Sequence, residues 1–152
     1  MLECRVLSPG WEAALLAFLR DIESVGETRF FKPHPFTVSE VAALTHYEGG
    51  DLYYILTEGP SVLGYGMLRG WDEGYEVPSL GVAIHPSHRG GGLGRALMHF
   101  LHAAAVRKGA RRVRLRVSPD NERAIGLYAS LGYRFEKEEA GLQVGIKELK
   151  TA

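Results

Sequence analysis

Arg89-Gly90-Gly91-Gly92-Leu93-Gly94-Arg95 lies where one periodicity of the chain gives way to another, and its reading decides the fold. Before it, Tyr75–His85 is rich in residues that favour strands. After it, Leu93, Leu97, Phe100, Leu101 and Ala104 fall on one face of a helix that must end before Gly109. A glycine-rich turn therefore joins a strand to a helix. Backbone without Cβ atoms can turn sharply and point successive N–H groups at one spot. The unpaired N–H groups of the helix's first turn add to that spot, and so does its dipole. Phosphate or pyrophosphate is the natural occupant; a mere connecting turn is the plainer alternative. Two named phosphate loops fail on spacing. A G-x-G-x-x-G fingerprint starting at Gly92 needs glycine at position 97, where Leu97 stands. The G-x-x-x-x-G-K-[ST] loop has no match, because Lys108-Gly109 has the wrong order and place.

Working outward, Cys4–Leu7 reads as a short strand closed by Ser8-Pro9-Gly10. Trp11, Leu15, Phe18, Leu19 and Ile22 recur at helical spacing up to Gly26. Two prolines keep Phe30–Phe36 from being helical, leaving an aromatic-rich connection. Thr37 and Glu40 form a T-x-x-E capping box for a second short helix. Asp51–Thr57 and Val62–Arg69 make a hairpin about Glu58–Ser61, and Tyr75–His85 extends it to three antiparallel strands. Downstream, Val113, Leu115 and Val117 alternate with Arg112, Arg114 and Arg116 in a half-buried strand. Asp120 or Asn121 caps a helix stopped by Gly132, and Tyr133–Glu136 and Leu142–Leu149 close the chain. The order β-α-α-β-β-β-α-β-α-β-β predicts an α/β fold: one mixed, mostly antiparallel sheet with helices on both faces. No linker or repeat divides it, so residues 1–152 form a single domain.

Composition narrows the function classes. Lys plus Arg equal Asp plus Glu at 18 each, so no global charge draws the chain to nucleic acid or membrane. The arginine strand lacks the aromatic platform that single-stranded nucleic acid needs. Uncharged stretches such as Val77–His88 fall short of the ~17 residues that span a bilayer. One cysteine, Cys4, forbids an internal disulfide and fits a reducing, cytoplasmic setting. His85/His88 and His99/His102 have no carboxylate or thiol at ligand spacing, so no metal is expected and they read as exposed or capping residues.

Leu80-Gly81-Val82-Ala83-Ile84-His85-Pro86-Ser87-His88-Arg89-Gly90-Gly91-Gly92-Leu93-Gly94-Arg95-Ala96-Leu97 resembles the acetyl-CoA motif of the Gcn5-related N-acetyltransferases (GNAT). Arg89, Gly92 and Gly94 match its [R/Q]-x-x-G-x-[G/A] core. Asp120–Tyr133 is similar to the family's N-x-x-A-I-x-L-Y-x-x-L-G-[F/Y] helix, in the expected order and at the expected separation. The two segments span about 80–135; the first 50 residues carry no signature. The resemblance implies acetyl-CoA as co-substrate. It implies that the backbone of Val82, Ala83 and Ile84 pairs with the pantetheine arm, with one N–H aimed at the thioester oxygen. Arg89, Gly90, Gly91, Gly92, Leu93, Gly94 and Arg95 would hold the pyrophosphate, and Asn121 the arm. Tyr128 would stand beside the sulfur, where a phenol can protonate the departing thiolate.

The acceptor amine needs a base. In the branch that acetylates N-terminal alanine, the glutamate would align with Arg116, and an arginine cannot serve. Glu76, Asp72, Glu73 and His34 are the candidates; Glu76, at the head of the cofactor strand, is the choice. If the arginine strand borders the acceptor cleft, the acceptor is anionic. The expectation is an N-acetyltransferase acting on a small-molecule amine of amino sugar or amino acid type, as monomer or homodimer. Alternatives are a protein N-terminal or lysine acetyltransferase, or a non-catalytic acyl-CoA-binding domain.

Overall fold

Leu15, Phe18, Leu19 and Ile22, the apolar stripe read from the sequence, are all buried along helix α1 (Glu12–Ser24). Helix α2 (Val38–Thr45) opens with the expected cap, where the Glu40 N–H donates to Thr37 Oγ1 at 3.2 Å. Helices α3 (Leu93–Arg107) and α4 (Glu122–Ser130) follow the glycine loop and Asn121. The strands are β1 (Leu2–Val6), β2 (Leu52–Glu58), β3 (Ser61–Arg69), β4 (Ser79–Ile84), β5 (Arg112–Val117), β6 (Arg134–Glu139) and β7 (Leu142–Glu148). This computed structural model describes residues 1–150; the last two residues of the expected 1–152 domain lie outside it.

The seven strands form one sheet in the order β1-β2-β3-β4-β5-β7-β6. Every pairing is antiparallel except β4 with β5. One core, built on α1 and α2, includes Phe18, Ile55 and Tyr65. The other lies under α3 and α4 and includes Leu68, Leu97 and Leu115. At Gly66 a Cβ would come within 2.9 Å of Leu101 Cδ1, so glycine there lets α3 settle onto the sheet.

Two expectations are corrected. The strand expected over Tyr75–His85 begins only at Ser79. A short 3-10 turn, Trp71–Glu73, and Pro78 occupy the chain before it, and Asp51 Oδ1 accepts the Gly70 and Trp71 N–H groups at 3.0 Å each. His102 is not an exposed histidine. It is 8% exposed on the inner side of α3, with its Nε2 2.7 Å from the Tyr133 hydroxyl.

The feature that positions the site is an unfinished seam. β3 and β4 stay in register out to Gly64 opposite Ile84. β4 and β5 pair only at Ser79 opposite Arg114, where the Arg114 N–H donates to Pro78 O at 3.0 Å. Beyond that rung the two strands part.

Candidate active site

Alternation along a strand sends backbone groups to opposite edges in turn. The His85 N–H donates to Leu63 O at 2.8 Å, so odd-numbered residues of β4 face β3. Val82 and Ile84 therefore aim their N–H and C=O groups into the gap beside β5. Arg89 Nη2 already takes the Ile84 carbonyl at 3.1 Å. Ala83 departs from its expected part, because its amide faces β3 opposite Tyr65. It lines the gap instead.

The gap opens into a cavity of about 360 Å³, ending at the glycine loop. Gly90 and Gly92 hold φ at 84° and 86°, conformations that an L side chain rarely adopts. A Cβ built at Gly90, Gly91 or Gly92 meets nothing within 4 Å, so the loop's outer side is open to an occupant. Gly92 also caps α3, and the N–H groups of that helix's first turn point at the same place. Of the residues expected to hold cofactor or do chemistry, all but Gly91 and Glu76 line this cavity.

Tyr128 comes from α4, 9% exposed, with its ring 5.8 Å from that of Tyr133. Burial pushes its phenol up to about 12, so at neutral pH it keeps its proton. Asn121 is half cap and half lining: its Oδ1 accepts the Ala124 N–H at 3.3 Å, leaving the carboxamide N–H groups for the cavity.

The charged lining is lopsided. Among the described residues, Arg89, Arg95, Arg116 and Arg123 face a single lining carboxylate, Glu27. Glu27 is held by the Arg89 guanidinium, with one contact at 2.8 Å and a second shorter one, and that pairing keeps its carboxyl below the usual range. Glu76 is exposed before β4 and does not line the cavity. Asp72 accepts the Tyr47 hydroxyl and the Gly50 N–H, so it fastens a loop. His34 Nδ1 lies 2.8 Å from Pro35 O and Nε2 2.9 Å from the Tyr65 hydroxyl; burial lowers its pKa. Phe30 and Phe31 of the aromatic connection do reach the cavity. Sequence reasoning missed Glu27 and Arg123. No local pattern marks Glu27, since its partner lies 62 residues away.

The sequence pattern of the acetyltransferase (GNAT) family matches residues 16–133. The chain belongs to that family. Solved structures agree on the fold of this GNAT protein. An acetyltransferase of the GNAT family from Streptococcus pneumoniae is 21% identical, covers 99% of this chain and 100% of its own, and superposes with a TM-score of 0.84. A GCN5-related N-acetyltransferase from Kribbella flavida is 27% identical, with 97% and 98% covered and a TM-score of 0.79. The PaiA N-acetyltransferase from Thermoplasma acidophilum, solved in complex with coenzyme A, is 15% identical, with 97% and 99% covered and a TM-score of 0.79. The GNAT fold thus extends over the first 50 residues, where the sequence carries no signature. Among the described residues no helix is long and apolar enough to cross a membrane.

Proposed function

We propose that the protein transfers the acetyl group of acetyl-CoA to the α-amino group of a small anionic amine of amino acid type, by direct attack. The carrying observation is one cavity in which unpaired β4 backbone, an open glycine loop and the Tyr128 phenol meet. The residues present suit such a co-substrate. Val82 and Ile84 can pair with an extended amide-bearing arm as a neighbouring strand does. The loop amides and the α3 N-terminus suit a pyrophosphate. Acetyl-CoA supplies an acyl carbon already activated as a thioester.

A β4 N–H directed into the gap stabilises negative charge on the carbonyl oxygen as the amine nitrogen bonds to that carbon. Tyr128 delivers its proton to the sulfur as the C–S bond breaks, and regains one from solvent. The amine's proton leaves through water at the cavity mouth, because the one lining carboxylate is occupied by Arg89. That route suits an α-amino group, with pKa near ~8, better than a lysine side chain near ~10.4. Arg116 and Arg123 are both exposed lining cations, and Arg116, on the β5 side of the gap, is the one assigned to the acceptor's anionic group.

Thiol release from acetyl-CoA should be followed across free amino acids, amino sugars, an N-terminal alanine peptide and a lysine peptide. Turnover with acidic or neutral amino acids, and a KM about tenfold higher in Arg116→Glu, is the expected result. An unchanged KM removes the anionic acceptor, and tight CoA binding without turnover on any amine makes this a binding domain. Glu76→Gln distinguishes the routes for the amine proton. A loss of kcat beyond about a hundredfold assigns the base to Glu76.

A further inference from the structure

The two edges of the sheet are built differently. β6, at one end, carries Arg134, Glu136, Lys137, Glu138 and Glu139 and an irregular register after Phe135, features that discourage strand addition. β1, at the other end, is Leu2-Glu3-Cys4-Arg5-Val6, regularly paired with β2. Leu2 and Val6 are 45% and 62% exposed, on the face shared with Cys4 and Tyr54. α3 packs over β3 and β4 and reaches β2 through Phe100 against Tyr54, leaving Leu2 and Val6 of β1 exposed.

Two independent features choose the same partner for this edge. The first is backbone parity. The Leu7 N–H donates to Tyr53 O at 2.9 Å, so Glu3 and Arg5 face β2. Leu2, Cys4 and Val6 therefore turn their N–H and C=O groups outward. A second β1 can join antiparallel about a two-fold axis only where outward residues meet outward residues. Of the axes this permits, those at Glu3, at Cys4 and at Arg5 pair more than one outward residue of β1. The second is charge. An axis at Glu3 sets Glu3 against its own copy, and an axis at Arg5 sets Arg5 against its own copy, like charges directly opposite. An axis at Cys4 sets Glu3 against Arg5 of the other chain, twice, in the non-hydrogen-bonded pairs whose side chains approach closest. The same axis uses all three outward residues and sets Leu2 against Val6 on the apolar face.

We propose that the protein is a two-fold homodimer whose sheets join edge to edge through β1, with the axis at Cys4. The inference does not depend on the acetyl-transfer reading, because β1 contributes nothing to the cavity lining. The sole cysteine reports the axis directly. Hydrogen-bonded antiparallel partners have Cα atoms about 5.5 Å apart, inside the ~4.4–6.8 Å that a disulfide spans.

Light scattering on the purified protein across concentration should give twice the monomer mass, and mild oxidation should link Cys4 to Cys4. Arg5→Glu and Glu3→Arg should each run at monomer mass, with no Cys4 link. Mixed in equal amounts they should recover the doubled mass, since each Glu then faces an Arg across the axis. An internal Glu3–Arg5 pair, at 2.7 Å within one chain, cannot produce that rescue. Cys4→Pro, which removes an outward N–H and leaves the bonds from β1 to β2 in place, should also be monomeric. A wild-type monomer at high concentration, a dimer that survives Arg5→Glu or Cys4→Pro, or a mixture that stays monomeric overturns the proposal.

Discussion

Tyr128 is a phenol whose burial favours the protonated form, and it stands in the cavity that β4 and α4 share. A group that keeps its proton at neutral pH can give it to a departing thiolate. Tyr128→Phe should therefore lower kcat by about a hundredfold while CoA affinity by calorimetry moves less than about threefold. A large loss of affinity with kcat kept would assign Tyr128 to binding alone. At this scale the sequence was unevenly legible. Tyr128 and Asn121 stand in a motif that names them by spacing, whereas Glu27 stands in none. Its importance comes from Arg89 reaching across from the loop, a contact that exists only after α1 has packed on the sheet. The base candidates failed to gather for a similar reason. Asp72 and His34 spend their polar atoms on Tyr47, Gly50 and Tyr65, partners remote in the chain.

Helix α3 is tied to the residue just before β6 by a buried contact, the His102 ring against the Tyr133 hydroxyl. Burial, then Lys147, then His99 push the His102 ring down to about 4. In the unfolded chain a histidine takes its proton near ~6.5. Between those values the unfolded state binds a proton that the folded state refuses, so stability is full above ~6.5 and declines as pH falls toward 4. Urea unfolding at pH 7.5 and pH 5 should show a loss of roughly 2 kcal/mol from this group. His102→Gln should remove that part of the pH dependence; an unchanged difference would show that the proton binds elsewhere. Element type was largely readable from periodicity, since α1, α3 and α4 lie where the apolar stripes predict. Element ends were less so: Tyr75–His85 has strand composition, yet the Trp71–Glu73 turn delays the strand to Ser79. The burial of His102 was hidden because a lone polar residue near an apolar stripe looks the same whether or not a tyrosine from another element covers it.

Over the whole molecule the balanced charge conceals a division. Residues 77–119 contain eight Lys and Arg and no Asp or Glu, and the rest carries the full 18 acidic residues. The basic part includes the glycine loop and three of the four arginines that line the cavity. A polyanion binding there feels attraction that salt weakens. Raising salt from about 50 to 500 mM should weaken CoA binding by roughly tenfold, with most of the change in the association rate. An affinity flat across that range would mean that backbone amides alone hold the ligand. The seam between β4 and β5 has a consequence at this scale too. The β1–β4 half and the β5–β7 half share one ladder rung, so the sheet is nearly two sheets. A molecule lying in that gap acts as a missing strand, adding backbone links between halves that otherwise meet through the shared core of Leu68, Leu97 and Leu115. Melting should therefore shift upward when the gap is filled, because an occupant that bridges both strands binds only the folded sheet.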